Sequence, residues 1–584
     1  MNEERNKIKT IAERWGYESK RFLFGNSYPY VKLIGIVIGT SILMSHCEDF
    51  LEEEAFTTFI GDSFFEDVGS AELAMVGVYN TLSSNDLYAS NYVIAFHTGT
   101  DIDRYYRQGV GNPSDLLANY EIQEFNKDIG RAWATLYQGI SRANIAIDGI
   151  TKLRDQAADE GSQTVQQYNH FLGDVYFLRA FFYFQLVKNW GDVPLRLTPN
   201  VSLDELAIER SPKEEVYQQI ESDMLQAIEL LPSASNVSNK GRINQGAAQG
   251  ILTRIYLHWA GNPIQDETKY IKAVEQAWAV VNSGEHALNP VVEKPPIGAP
   301  FDHEFPEVFA NYSYGNFDLK ESMWEVHFSF VGNNAQNGSS IGTWFGVKQH
   351  TNSSYKRGTP RRYPLPTFYD SFEEGDSLRR DWSISQFEIN ARDQFVPTNN
   401  ELGYGVGKFR RYLIPSPSTT NNVDKMNWPV IRYADVLLML AEGIVEVLDN
   451  GGSLPSGVSL DTALESINQV RRRARIKNPL SPNDEIDLSG LDMDQLRTQI
   501  RKERAWELCF ENVRRPDLIR WGTLVSTVRE TGAQMQERGY DLQRIYRPSL
   551  FISPIHNQLP IPFAEEISQN PAVLNTDPSN NGYR

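Results

Sequence analysis

The sequence predicts a mainly α-helical protein, an irregular scaffold of tetratricopeptide-like helical pairs with a long loop-rich part. Apolar residues recur every three to four positions over several segments, which is the period of a helix with one buried face. Helix, turn and helix follow one another at a spacing of about 30 residues, as in tetratricopeptide repeats. Between residues 286 and 425 this periodicity stops, and Gly, Ser, Asn and Pro alternate with aromatic residues.

Three consecutive segments predict the clearest helical pairs. Apolar side chains keep the helical period from Glu214 to Leu231, and Pro232 ends that helix. The segment from Gly246 to Gly261 begins with small residues, which let a neighbouring helix approach closely, and Tyr270–Val281 predicts the next helix. The same pattern predicts helices at Ala71–Leu82, Trp133–Ile150, His170–Asn189, Tyr433–Leu448, Leu464–Arg475 and Leu491–Phe510.

Two stretches, residues 83–126 and 286–425, predict irregular structure. Their one strand-like piece is Ser322–Phe330, which alternates polar and apolar residues and places Trp324 in the core. Long loops in a compact protein are usually functional or disordered, and the aromatic content of these two argues against disorder. We therefore expect the ligand contacts to come from these stretches.

The first 46 residues predict an export signal. Basic residues precede an apolar run from Leu33 to Met44, which is too short for an ordinary spanning helix of about 20 residues. Cys47 and the acidic pair Glu48-Asp49 follow, in an order that is similar to a bacterial lipoprotein signal. We expect residues 1–46 to be removed and Cys47 to be acylated. The alternative is an uncleaved anchor, or a signal peptide with an incidental cysteine.

Charge and cysteine content exclude several classes of protein. The formal net charge is −19, which argues against nucleic-acid binding because phosphate contacts need clustered Lys and Arg. Two cysteines exclude a disulfide framework and a Cys-rich zinc site. The nine histidines form no ligand cluster, and His97 with Asp101 and Asp103 is not enough to define a metal site. We expect no cofactor and no essential metal.

An ordered set of short motifs resembles the SusD/RagB family of outer-membrane nutrient-binding lipoproteins. Each motif is weak alone, but together they run in order over essentially the whole chain after the signal. They are Asp49–Glu54, Phe64-Phe65, Ala71–Tyr79, Trp133–Tyr137, Arg142–Asn144, Phe177–Phe184, Trp190–Pro194, Arg432–Met439, Ala441-Glu442, Ile467–Ala474, Glu503–Leu508, Arg514-Arg515, Asp517–Gly522 and Leu559–Pro562.

This resemblance implies both an organisation and a function. An N-terminal SusD-like helical region is expected at residues 47–285, a loop-rich ligand-binding region at 286–425, and a C-terminal SusD/RagB helical region at 426–584. The protein is expected to be non-catalytic, to face the exterior, and to be held to outer-membrane lipid through acylated Cys47. It is expected to bind an oligosaccharide, or a peptide, and to deliver it to a SusC-like TonB-dependent transporter.

Loop aromatics are the candidate ligand contacts. A flat ring covers the C–H face of a sugar, while amide, hydroxyl and guanidinium groups meet the hydroxyls. Trp344 is the first candidate because it lies in the Gly/Ser-rich segment Gly338–Gly346. The glycines of this segment are expected to leave the ring unshielded by neighbouring side chains. The other candidates are Tyr105, Tyr106, Tyr312, Tyr314, Phe345 and Tyr355, with Asn316, Asn333, Asn334 and Arg357 as polar neighbours. For each ring the alternative is a loop anchor packed on the scaffold.

One series of carboxylates leaves an enzymatic function as the alternative. Glu503, Glu507 and Glu511 recur every four residues on one helix face. Paired carboxylates could act as acid and nucleophile of a secreted or surface glycoside hydrolase. The same spacing is typical of a salt-bridged helix face, which we favour. The basic run Arg471–Arg473 is expected to form a solvated or interface-facing helix surface.

Overall fold

The computed structural model describes residues 64–106, 111–157, 163–199, 207–289, 304–329, 338–414, 423–475 and 487–584. The predicted signal, Cys47, Asn333 and Asn334 lie outside these residues. From Phe65 to Arg584 the chain forms one compact unit. Within the described ranges, no helix combines the length and the apolar character that crossing a membrane requires.

Helices dominate the described residues, as the periodicity predicts. They are α1 (Val68–Tyr79), α2 (Asn91–Ala95), α3 (Pro113–Ala118), α4 (Lys127–Gln156), α5 (Gln163–Trp190), α6 (Lys213–Leu230), α7 (Gln245–Ala260), α8 (Lys269–Ser283), α9 (Glu304–Tyr314), α10 (Ile341–Trp344), α11 (Pro366–Tyr369), α12 (Ser377–Ser383), α13 (Tyr433–Asp449), α14 (Leu460–Ala474), α15 (Met493–Glu507), α16 (Arg514–Arg520), α17 (Leu524–Glu537), α18 (Leu542–Ile545) and α19 (Pro548–Phe551).

The strands are short and pair in twos. They are β1 (Asp103–Tyr105), β2 (Ser322–Val326), β3 (Arg362–Pro364), β4 (Ile384–Ser385), β5 (Phe387–Ile389), β6 (Phe395–Pro397), β7 (Gly405–Val406) and β8 (Trp428–Arg432). The pairs are β1–β3, β2–β8, β4–β7 and β5–β6, all antiparallel. The predicted strand at Ser322 is confirmed as β2, and Trp324 is buried.

Sequential helices pack against each other, which confirms the mainly α class. Helix α4 packs on α5, α5 on α6, α7 on α8, α8 on α13 and α13 on α14. Small residues allow close approach: a side chain at Gly139 of α4 would clash with the Phe182 ring of α5. Apolar side chains from these helices form one large core, and a second, smaller core surrounds Phe309 and Tyr412 beside α9.

A buried ionic cluster surrounds α15. Glu503 and Glu507 are fully buried, and Glu511 is nearly so. Arg379 Nη1 lies 2.7 Å from Glu503 Oε1, and Arg473 Nη2 lies 2.5 Å from Glu507 Oε1. The expected salt-bridged face is therefore present for Glu503 and Glu507, but it faces the interior rather than solvent. Glu511 lies beyond the end of α15, so the expectation that all three share one helix face is wrong for Glu511.

Further cations complete this cluster. Arg432 lies 3.1 Å from Glu507 and 2.7 Å from Glu511, and Lys408 Nζ lies 2.6 Å from Glu511 Oε1. Arg471 lies 3.2 Å from Glu503. The expectation of a solvated Arg471–Arg473 face is wrong for Arg471 and Arg473, which are buried by these contacts, and holds for the half-exposed Arg472.

We predict that Glu507→Gln lowers the free energy of unfolding by about 3–5 kcal/mol, because it leaves buried cations without a counter-charge. Burial alone would raise the pKa of Glu507, but Arg473, Arg432 and Arg379 lower it to about 2. The carboxylate therefore stabilises the fold above its ordinary pKa of 4.5, and this stabilisation is lost as the pH falls through about 2. Urea unfolding of both proteins at several pH values measures the difference.

The matched control is Lys272→Ala. Lys272 and Glu275 form an ion pair at 3.1 Å with side chains 50% and 43% exposed, so its loss should cost less than about 1 kcal/mol. Equal effects of the two substitutions would contradict the structural role of the buried cluster.

Candidate functional site

A two-stranded ribbon positions the candidate residues of the first irregular stretch. Strand β1 pairs with β3 so that Arg104 lies opposite Tyr363 and Tyr105 lies opposite Arg362. Arg362 is buried and anchors the ribbon, since its Nε donates to Asp103 Oδ2 at 2.6 Å and its guanidinium lies 4.5 Å from the Phe345 ring centroid. Because side chains alternate along a strand, one face of the ribbon is fixed to the core.

Backbone hydrogen bonds join this ribbon to the segment that carries Trp344. The amide of Tyr106 donates to the Arg361 carbonyl, and the amide of Arg361 donates to the Trp344 carbonyl, both at 2.7 Å. The amide of Thr359 donates to the Thr343 carbonyl at the same distance. Three segments that are distant in sequence are therefore held side by side.

The half-buried side chains of these segments form what we call the Trp344 surface: Tyr106, Trp344, Arg357, Arg361 and Tyr363. The Arg361 guanidinium lies 4.1 Å from the Trp344 ring centroid, and that of Arg357 lies 5.6 Å from it. Such contacts hold the ring and place guanidinium N–H donors over it. The combination suits a ligand with both apolar faces and hydroxyl groups.

The glycines around Trp344 have a different role from the one expected. A side chain at Gly346 would clash with the Phe409 carbonyl oxygen, and one at Gly342 would lie 2.7 Å from Asp424. These glycines therefore let the segment pack directly onto the residues beneath it. Trp344 is held on a tightly packed support, not on an open loop.

Three of the predicted ligand contacts lie in the core. Tyr105 is 1% exposed, and Tyr312 and Phe345 are 0% exposed. Phe345 packs against Phe409 and Trp428, with ring centroids 5.2 and 5.7 Å apart. A ring without accessible surface cannot cover a sugar face, so the structure corrects the expectation for these three residues and makes them loop anchors.

The remaining predicted residues lie away from Trp344 or at its margin. Tyr355 is half-buried, with its ring 6.1 Å from that of Tyr412, and Tyr314 packs on the same smaller core. Asn316 is exposed just after α9, where its amide contacts Asn311. Of the predicted set, the structure brings together Tyr106, Trp344 and Arg357.

Sequence reasoning missed Arg361 and Tyr363. Both lie in or beside β3, and β1 and β3 have three residues each. A period of two cannot be recognised over so short a run. The pairing also joins positions more than 250 residues apart, which no local pattern reveals.

The carboxylates considered for a metal site are paired with arginines. Arg514 Nε donates to Asp101 at 2.9 Å, and Asp103 accepts from Arg362 as described above. Among the described residues no group of three or more His, Cys, Asp and Glu side chains could hold a metal ion. Cys509 is buried, and burial raises the pKa of its thiol, so it is not an activated nucleophile.

Comparison with known proteins agrees with this fold. A family model described as "Starch-binding associating with outer membrane" matches residues 76–257, and the SusD family model matches residues 381–583. SusD-like protein P25 of Formosa agariphila is 26% identical over 592 residues, covering 95% of this chain and all of that protein. The chain belongs to the SusD/RagB family, whose members are outer-membrane surface proteins that bind glycans.

Solved structures share the architecture. A SusD homolog from Bacteroides thetaiotaomicron superimposes with a TM-score of 0.77 at 27% identity, covering 88% of this chain and 97% of that one. Surface glycan-binding protein A from the same organism, solved in complex with laminarihexaose, has a TM-score of 0.63 at 18% identity over 85% of this chain and 97% of that one. The second likeness shows the fold alone.

We predict that Gly346→Ala destabilises the protein by about 1–3 kcal/mol, because the added methyl group overpacks the contact with Phe409. Gly77→Ala on α1 is the matched control, since nothing lies within 4 Å of a methyl group there and alanine favours the helix by about 0.5–1 kcal/mol. Urea unfolding measures both. A neutral or stabilising Gly346→Ala would refute the tightly packed support of Trp344.

Proposed function

We propose that this protein is a non-catalytic, cell-surface lipoprotein that binds an oligosaccharide at the Trp344 surface and delivers it to a SusC-like TonB-dependent transporter. The observation that carries the proposal is the surface itself: tyrosine and tryptophan rings with two arginines on a tightly packed support. Family membership and the laminarihexaose complex of a fold neighbour support it. A peptide ligand is the alternative within the same role.

The environments of Glu507 and Glu325 favour binding over glycoside hydrolysis. A hydrolase needs a protonated acid and a second carboxylate in a cleft that the sugar can enter. Glu507 is buried with a pKa of about 2, so it cannot serve as the acid. Burial raises the pKa of Glu325 to about 7, yet Glu325 is itself buried and hydrogen bonded to Ser322 and Asn427. Both carboxylates therefore stabilise the scaffold.

The proposed delivery to a transporter follows from the family and the leader. A lipid on Cys47 would hold the protein at the membrane, at about 0.8 kcal/mol for each buried methylene group. A stable complex with a barrel protein would bury on the order of 2,000 Å² or more.

We predict that Trp344→Ala weakens glycan binding by about 1–3 kcal/mol, a tenfold or greater loss, because the ring face is removed. Calorimetry with laminarin and starch oligosaccharides identifies the ligand, and the same samples are analysed for released sugars. Phe125→Ala is the control, since this exposed aromatic packs on Phe563 and not on the Trp344 surface. Unchanged affinity in Trp344→Ala would exclude this surface as the glycan site. Sugars released by the wild-type protein would favour the glycoside hydrolase.

We predict that Cys47→Ala releases the protein from the outer-membrane fraction, because the residue that carries the lipid is lost. Extraction of wild-type membranes in mild detergent, followed by affinity purification, should co-isolate a large barrel protein. Membrane retention of Cys47→Ala would contradict the anchor. Recovery of the wild type alone, with the barrel present in the same membranes, would contradict the partnership.

A further inference from the structure

A small cleft away from the Trp344 surface is lined by basic side chains. It lies between the C-terminal ends of α5 and α7, the start of α16 and the segment after Ser553. Its basic lining residues among those described are His97, Lys188, Lys213, His258, Arg515 and His556. No Asp or Glu of the described chain lines it. In a chain with a net charge of −19, this local excess of positive charge calls for an explanation.

Two cations of this cleft have no carboxylate partner within the described residues. The Lys188 ammonium donates to Gln185 Oε1 at 2.6 Å, and this is its one hydrogen bond there. The Arg515 guanidinium is 4% exposed and donates to the carbonyls of Phe96 and His556, at 3.0 and 3.3 Å. By contrast, buried Arg504 is matched by Asp435 and Asp517. A buried charge without a counter-charge is costly, so an anion that entered the cleft would be stabilised there.

Two imidazoles face the same space with unused hydrogen-bonding capacity. His97 and His258 are 3% and 7% exposed, and neither ring hydrogen bonds to a described residue. Both rings are held by edge contacts, His97 with Tyr92 at 5.2 Å and His258 with Phe184 at 5.3 Å between centroids. Each neutral imidazole offers an N–H to a ligand in the cleft.

A second cavity continues the first beyond Lys188 and His258. It is lined in part by Glu511 and Asp517, but these carboxylates are already paired, Glu511 with Arg432 and Asp517 with Arg504 and Arg520. Lys213, at the rim of the first cleft, lies 3.9 Å from both Asp192 and Glu214. The unmatched charge is therefore concentrated on Lys188 and Arg515.

We propose that this cleft, named here the Lys188 cleft, is a binding site for a single oxyanion group, a phosphate, sulfate or carboxylate. The anion would accept from Lys188 and from His97 and His258, and it would supply the counter-charge that the described protein lacks there. The space in this cleft is small, about 30 Å³ for the centres of water-sized spheres. It suits a free inorganic anion, or the acid group of a larger molecule that remains at the rim.

Binding should depend on pH in a defined direction. Burial lowers the pKa of Lys188 to about 7, and it also lowers the pKa values of His97 and His258, while that of His556 falls to about 4. An anion favours the protonated amine, so affinity should rise as the pH falls from 8 to 6. The Arg254 guanidinium lowers the pKa of Lys188 further. The other charged groups that line the two cavities are Lys213, Arg504, Glu511, Arg515 and Asp517.

Titration calorimetry of the full-length lipoprotein tests the site. Sulfate, inorganic phosphate and glucuronate are titrated separately at constant ionic strength, which distinguishes a free inorganic anion from the acid group of a sugar. We expect saturable binding of at least one of them, weakened about tenfold or more by Lys188→Met. For sulfate, which stays charged over this range, the pH dependence should also flatten in that variant.

Lys152→Met is the matched control, because Lys152 is 52% exposed on α4 and pairs with Asp148. It should bind the anion as the wild type does. A crystal soaked in selenate gives a second measurement that needs no variant, since its anomalous peak should lie in the Lys188 cleft. No saturable binding at millimolar anion, equal affinity in Lys188→Met, or a peak elsewhere would overturn the proposal. Glycan affinity at the Trp344 surface is measured separately and is expected to be unchanged in Lys188→Met.

Discussion

The ionic cluster around Glu507 is the constraint on which the rest of the structure depends. Two of its carboxylates, Glu503 and Glu507, come from α15, and Glu511 follows the end of that helix. Its cations come from the loop-rich region (Arg379 and Lys408), from β8 (Arg432) and from α14 (Arg473). Because a buried charge tolerates no loss of its partner, every one of these segments has one acceptable position. The cluster thereby fixes the irregular part of the chain on the helical scaffold.

This arrangement also bears on the choice between two functional classes. The carboxylates whose spacing resembles a glycosidase pair are the ones that the cluster uses. Arginines hold the pKa of Glu507 near 2 and the residue has no accessible surface, so a proton donor is absent where the sequence would have placed it. The residues best suited to acid–base chemistry by spacing are therefore scaffold residues, which agrees with a family of binding proteins.

The sequence predicts the helices well and the ligand surface in part. Long helices such as α6 and α7 repeat their apolar spacing over several turns, so a local pattern is enough to find them. The position of an aromatic residue in an irregular segment has no such periodicity. Phe345 follows Trp344 directly, yet Phe345 lies under the surface and Trp344 lies on it. Only tertiary packing separates the two, since Phe345 packs on Phe409 and Trp428 whereas Trp344 contacts Arg357 and Arg361.

Glycine usage around Trp344 shows why composition alone misleads. A Gly- and Ser-rich segment predicts an open, adaptable loop. Here, however, Gly342 and Gly346 are glycines because Asp424 and Phe409 lie directly against them and leave no room for a side chain. Ser339 adds two backbone hydrogen bonds with Asp424, at 2.8 and 2.9 Å. A ring on such a support loses little conformational freedom when a ligand arrives, so more of the contact energy remains as affinity. The same packing that removes flexibility from the segment therefore makes Trp344 a suitable platform for a ligand.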